Sequence, residues 1–453
     1  MSLEQISKRF KSIVNDYSHH FQSYRHNVSE KARQYLCGLM QAGSRKNMDR
    51  MAEVVPDSQS RNLQQFLTHS KWSWRDVMDH VAKDVDGLIG HDDDACLLID
   101  ESSFEKQGDH SVGVSRQWLG RQGKVDNGQV AVFAALANGN QVCPVDTRFY
   151  LPKIWCEDTK RCDKAGIPEP FVEFKTKIEL AIEAITNARK NGLRFGWVGA
   201  DAGYGKGPDF AISLAELGET FMIDIHSNFS LYRQDPSPYL YGNTDPESKT
   251  KHYRSDKKAT QAIDLVNALR KDEWETIELR QTTRGPLRLR AARRRVFVYS
   301  NQTGKTRRYT LVVTQTEDFK ETKISLTNAS ARSDLARLAR MQRQRYWIER
   351  TFEDAKSECG MADYQVRKWG AWHHHMALVM MSMRFMLQER QLQADDLPLL
   401  SCADIEQLLA YFLPKKNASK NEIFRQLKYR HQQRQQAIES HTRANNAKHQ
   451  EGG

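Results

Sequence analysis

A chain of 453 residues is too long for one compact core, which predicts two or three domains. Its formal charge of +11 and pI near 9.2 select a polyanionic partner, nucleic acid before membrane, and no apolar run reaches the length of a membrane span. Seven scattered cysteines without a C-x-x-C pair argue for a reducing compartment and against a zinc site or disulfide framework. MSLEQISKRF holds no signal-peptide core, so the expectation is a cytosolic protein working on DNA or RNA.

Residues 1–92 read as a helical DNA-binding domain. SEKARQYLCGLM and SRNLQQFLTHSKWSWRDVMDHVAKDV carry apolar residues at helical spacing, with Ser29 and Ser60 as candidate N-caps and Pro56 between the runs. The linking turn supplies Arg45, Lys46 and Arg50 as candidate phosphate contacts, and Trp72 and Trp74 are open to two readings, DNA docking or plain core.

The register changes over 93–225. ACLLID, GQVAVFAALA and QVCPVDTRFYLP read as a three-strand meander turning at Asn138-Gly139-Asn140. An amphipathic helix ending at Gly192 follows, then the strand RFGWVGAD, a short helix and the strand TFMIDI. That order predicts an α/β fold, an RNase H-like mixed sheet flanked by helices. Asp92-Asp93-Asp94 reads as a turn, and AGYGKG after Asp201 as a tight strand exit, since it lacks Walker spacing.

Residues 226–330 read as a β-rich insertion that interrupts this core, a polar Pro/Gly-punctuated loop and then strands. RQTTRGPLRLRAARRR holds Arg280, Arg284, Arg288, Arg290, Arg293, Arg294 and Arg295 with no acid among them, which predicts an edge lying along phosphates. The core resumes over 331–392, and 393–453 is a C-terminal helical region with a basic tail whose end is read as disordered.

Within 335–370 the spacing predicts one long helix ended by Gly360, with Arg345, Glu349 and Lys356 on one face. Taken alone that face is a surface laced with ion pairs. Taken with Asp100 and Asp201, each ending a core strand, it supplies the third carboxylate of a cluster able to hold two divalent cations. Mg2+, with Mn2+ as a substitute, suits an oxygen-only donor set. His373-His374-His375 is read as core or phosphate-contacting, because neighbours on a helix point in different directions.

LLIDESSFEKQG around Asp100, VGADAGYGKGPDF around Asp201 and RYWIERTFEDAKSECGMADYQVRKWGAWHHHM around Glu349 together resemble the DDE transposases of bacterial insertion sequences, in the superfamily with an inserted β-domain. The likeness covers most of residues 30–390. The family's third motif runs tyrosine, arginine, glutamate, lysine. Arginine, glutamate and lysine map to Arg345, Glu349 and Lys356, while the tyrosine position holds Gln342. The resemblance implies cut-and-paste transposition through a hairpin at the element end, and strand transfer into target DNA. It also implies a homodimer bridging two terminal inverted repeats in the bacterial cytosol and nucleoid. It further implies that the β-insertion grips the element end and can stack a flipped base, for which Trp274, its sole tryptophan, is the candidate. Two other readings stay open: an inactive relative that binds repeats and represses, and an RNase H-like nuclease without strand transfer.

Overall fold

The computed structural model describes residues 3–43, 45–241, 252–282, 285–417 and 419–451. Arg284 of the arginine run lies outside them.

Five helices open the chain: α1 (Ile6–Asp16), α2 (Ser29–Gln41), α3 (Met48–Val54), α4 (Ser60–His69) and α5 (Trp74–Ile89). Ser73, not Ser60, is a true cap, its hydroxyl accepting the Asp76 N–H, whereas Ser29 and Ser60 are already the first residues of their helices. On α5, Val77, Met78, Val81, Ala82, Val85 and Ile89 form one buried stripe.

Ten strands make one mixed sheet: β1 (Cys96–Glu105), β2 (Ser115–Leu119), β3 (Lys124–Asn138), β4 (Gln141–Phe149), β5 (Trp197–Ala200), β6 (Phe221–Asp224), β7 (Glu275–Thr282), β8 (Gly285–Tyr299), β9 (Thr306–Thr316) and β10 (Thr322–Thr327). Their order is β7-β8-β9-β10-β6-β5-β1-β3-β2, with β4 on β3. The meander turns at Gly139, whose φ of 58° favours glycine, and β2 is a strand the apolar pattern did not announce. Strands β1, β5 and β6 run parallel, and β10 joins β6 antiparallel, with Leu326 opposite Ile223. The β-rich segment therefore extends the core sheet; it does not stand beside it as a separate body.

Helix α6 (Lys177–Lys190) is opened by a capping box between Thr176 and Glu179 and stops just before Gly192, where φ is 79°. Helix α7 (Asp209–Glu216) links β5 to β6. The long helix expected from 335 is two helices, α8 (Leu335–Gln344) and α9 (Tyr346–Ser357), meeting at Arg345. The break has a packing cause: α8 lies on β7, β8 and β9, with Leu335 and Ala339 against Ile277 and Ala291, while α9 lies on β1, β3 and β4. One straight rod could not follow both parts of a twisted sheet.

Helix α10 (Trp369–Leu392) is apolar nearly all round, and α2, α4, α5 and β4 pack on it. The opening helices and the sheet thus share one hydrophobic core. Trp72 and half-buried Trp74 belong to that core, stacking on His374 and His373. Helix α11 (Cys402–Phe412) follows, and the basic tail, whose end the sequence reading leaves disordered, contains a 32-residue helix, α12 (Lys420–Glu451), that reaches into that end. Among the described residues, no helix is long and apolar enough to cross a membrane.

Candidate active site

Strand register brings the first two acids together. Ile99 of β1 sits opposite Ala200 of β5, and Ala200 opposite Ile223 of β6, so the next residues on the three strands are Asp100, Asp201 and Asp224. Asp100 is buried, its Oδ1 accepting the Glu101 N–H at 2.7 Å. Asp201 begins the exit loop, its Oδ1 accepting the N–H of Gly203 at 2.9 Å and of Tyr204 at 3.4 Å. A Cβ on Gly205 would lie 2.0 Å from the Asp224 carbonyl oxygen, so AGYGKG is the tight strand exit expected of it.

Arg345 ties the cluster. From the break between α8 and α9, its Nη1 lies 2.6 Å from Glu349 Oε1 and 3.6 Å from Asp100 Oδ2, and its Nε lies 3.2 Å from Asp224 Oδ2. One helical turn separates Arg345 from Glu349, whose side chain is half exposed beside the sheet. Farther along α9, Lys356 Nζ reaches the Ser103 carbonyl on β1 at 3.4 Å and lies over the Phe104 ring. The face carrying Arg345, Glu349 and Lys356 is therefore turned toward β1.

The electrostatics are those of a site short of positive charge. Burial, then the Asp201 carboxylate, push Asp100 up to about 8, against the pull of Arg345. Burial likewise raises Asp224, with Arg345 and the Ser325 hydroxyl pulling it back. Burial also opposes the charge on Arg345, but Asp224, Glu349 and Asp100 outweigh it and raise its pKa. The donors are carboxylate oxygens, which fits a hard divalent cation. Arg345 reaches Asp100 and Glu349, Asp201 lies next to Asp100 across the β1–β5 register, and the three carboxylates are not all within 4.8 Å of one another.

The sequence reading passes over Asp224, although its apolar run FMID closes on an acid as LLID and VGAD do. In the fold β6 ends at Asp224 and β5 just before Asp201, but β1 runs on past Asp100 to Glu105, so Asp100 is a mid-strand acid and not the strand end expected. The support of Asp224 is passed over too. Ser325 Oγ donates to Asp224 Oδ1 at 2.5 Å, and buried Gln342 donates from Nε2 to Ser325 Oγ at 2.8 Å and to the Val312 carbonyl at 3.2 Å. Gln342 Oε1 accepts from Thr314 Oγ1 at 2.5 Å. The residue in the motif's tyrosine place is thus built into the cluster's scaffold.

The expected DNA contacts divide. Arg45 is exposed. Lys46 is a correction: it is buried, and its Nζ donates to the carbonyls of Leu39 and Glu358 at 2.7 and 2.9 Å and pairs with Glu406 at 2.9 Å, so it braces the fold. Arg50 pairs with Glu53 at 2.8 Å. On β8, Arg288 is exposed opposite Glu278, at 3.4 Å, and Arg290 lies over half-buried Trp274. Arg294 pairs with Glu273 at 2.7 Å on that same face. Arg293 and Arg295 point to the other face, toward the Ser333 carbonyl and the Thr310 hydroxyl. The three adjacent histidines are core: His373 and His374 bond backbone carbonyls and His375 meets the Tyr35 hydroxyl.

A family model described as DDE superfamily endonuclease matches residues 17–286, a span that contains Asp100, Asp201 and Asp224 and ends before Glu349. The chain is also 30% identical, over 220 residues, to a protein of Microchaete diplosiphon named probable transposase for insertion sequence element IS701. That alignment covers 48% of this chain and 54% of the relative, so the chain spans about half the length of the relative it matches. With the family model matching more than half of its residues, and with Asp100, Asp201 and Asp224 brought together by the register of three adjacent parallel strands, the chain belongs to the DDE superfamily endonucleases.

Proposed function

We propose that this protein is a transposase that cuts and rejoins DNA at the ends of an insertion sequence, with Asp100, Asp201 and Glu349 as its metal-holding carboxylates. The observation that carries this reading is the bridging of Asp100 and Glu349 by Arg345 beside the Asp201 strand end. Two Mg2+ ions, or Mn2+ in their place, would be held there and would supply Lewis-acid assistance to the attacking and leaving oxygens of a phosphodiester. Arg345, its Nε fixed by Asp224, presents a planar fork suited to a phosphate flank, and Lys356 adds a point charge on the same face. Neutralising the carboxylates loosens the hold of Asp100 and Glu349 on Nη1 while Asp224 keeps the guanidinium in place.

The basic excess supports double-stranded DNA as substrate, in the cytosol or nucleoid. In this reading residues 1–92 dock the terminal inverted repeat through Arg45 and Arg50. The 226–330 strands line the element end through the face of β8 that carries Arg288, Arg290 and Arg294, with Trp274 beneath Arg290 for a flipped base, while Arg293 and Arg295 turn to the other face. Two copies pair in the synaptic complex, and the excised end passes through a hairpin before joining target DNA. The test is a strand-transfer assay with DNA from the flanks of the gene. Joined products with Mg2+ support the proposal, cutting without joining indicates a nuclease, and binding without cutting indicates a repeat-binding repressor.

A further inference from the structure

Among the described residues, one group of three ligating side chains comes within mutual reach of a single ion, and it lies on different elements from the acidic cluster. His19 and His20 sit in the turn after α1 and His80 on α5, each offering one ring nitrogen, all three within 4.8 Å of one another. His20 Nε2 and His80 Nδ1 are 2.9 Å apart.

The far sides of two rings are already assigned. His19 Nδ1 meets the Asp16 carbonyl at 2.9 Å, which only an N–H can satisfy, so Nε2 keeps its lone pair. Asp84 Oδ1 lies 3.6 Å from His80 Nε2, so its charge favours a proton on Nε2 and a lone pair on Nδ1, the nitrogen that faces His20. A carbonyl or carboxylate behind a ligating imidazole is the arrangement that orients metal-binding histidines. Asp84 is itself held by the Tyr17 hydroxyl at 2.8 Å and by Arg384 at 3.1 Å, and Tyr17 stacks on the His80 ring. Burial lowers the pKa of both His20 and His80, consistent with neutral rings near pH 7.

We infer that His19, His20 and His80 form a zinc(II) site that pins the turn after α1 to α5. Three imidazole ligands suit zinc(II), and exposed His19 leaves a fourth position for water. No cysteine takes part, which is why cysteine spacing gave no sign of it. The competing account is a hydrogen-bonded pair, His20 Nε2–H donating to His80 Nδ1, with His19 a bystander.

The experiment uses the full chain without a polyhistidine tag, stripped by chelator and titrated with zinc chloride against a fluorescent chelator. Excess Mg2+ is present to occupy the carboxylates. One zinc(II) per chain is expected, together with a raised melting temperature. His19→Ala, on an exposed side chain, should weaken binding at least about tenfold and abolish the melting shift, and Asp84→Asn should weaken it about 10–100-fold. His20→Ala should lose the ion. Cobalt(II) in place of zinc should give the strong visible absorption of a tetrahedral nitrogen-rich site, absent from His19→Ala. Zinc uptake that His19→Ala and His20→Ala leave unchanged, or no uptake above that of the triple alanine variant, overturns the inference in favour of the hydrogen-bonded pair. Should His80→Ala fail to fold, the two turn variants still decide the matter.

Discussion

Asp224 accepts the Nε–H of Arg345 at 3.2 Å across 121 residues of chain, and this bond fixes the guanidinium that bridges Asp100 and Glu349. Asp224→Asn should fold and lose about 10–100-fold in single-turnover cleavage, as when the outer partner of a metal centre is removed. Arg345→Ala should lose about 10²–10³-fold, and Arg345→Lys nearly as much, because an ammonium cannot reproduce the fork. Without Mg2+, Arg345→Ala should also be less stable by about 3 kcal/mol, since it leaves buried carboxylates unpaired. Mg2+ should then raise its melting temperature more than that of the wild type. Near-normal cleavage by Arg345→Ala would return this residue to an ordinary ion pair.

Gln342 fills the motif's tyrosine position, its amide bonding the Thr314 hydroxyl, the Val312 carbonyl and the Ser325 hydroxyl, and Ser325 in turn bonds Asp224. Gln342→Leu should cost about 1–3 kcal/mol, because the buried Thr314 hydroxyl loses its acceptor and Ser325 loses the donor to its oxygen. Gln342→Tyr should overpack a fully buried slot and cost about 1–3 kcal/mol without raising activity. Urea denaturation checks both. A tyrosine variant more stable or more active than the wild type would mean that the glutamine is a defect and not a support.

The two neighbours Arg45 and Lys46 should separate in a salt titration of DNA binding. Arg45→Glu, at an exposed site, should weaken binding and reduce the slope of log K against log salt by about one unit. Lys46→Gln should lower the melting temperature and leave the slope unchanged, because its ammonium is held by two carbonyls and Glu406. A lowered slope for Lys46→Gln would place that residue on DNA after all.

Burial pushes His373 and His375 down to about 3, with Arg75 near the first and Lys106 near the second adding to the effect. The unfolded chain takes up protons near 6.5, the folded one does not, so stability is fully present above about 6.5 and is lost as pH falls below it. The loss should approach roughly 1.4 kcal/mol per pH unit for each ring. Urea midpoints at pH 7 and pH 5 measure it. Burial lowers His374 as well, so His373→Gln should remove one ring's share of the pH dependence and leave the rest. A flat profile between those pH values would contradict neutral buried rings.

The parts of this fold that the sequence announces are those set by local periodicity and turn chemistry. Alternating and continuous apolar runs placed the strands carrying Asp100 and Asp201, Gly139 and Gly192 marked real turning points, and the face of Arg345, Glu349 and Lys356 is preserved. What escaped depends on distant packing. The α8–α9 break follows from two docking surfaces on a twisted sheet, and no proline or glycine signals it. Lys46 reads as a basic turn residue, yet its partners Glu358 and Glu406 lie more than 300 residues away. The arginine run looked like a free phosphate edge because Glu273, which engages Arg294, is outside the run. Asp224 was legible as a strand-end acid, but its bond to Arg345 exists only once β5 and β6 are parallel.

The account rests on three carboxylates acting as one metal-holding set, and the most direct measurement is Mg2+-dependent cleavage of a labelled duplex carrying the DNA from one flank of the gene. The wild type should cut it with Mg2+ and not with EDTA. Asp100→Asn, Asp201→Asn and Glu349→Gln, each nearly isosteric, should melt cooperatively and bind the duplex, and each should cut at least about 10³-fold more slowly. If any one of the three carboxamide variants cuts at a rate close to the wild type, that residue is no metal ligand and the assignment of the active site is wrong.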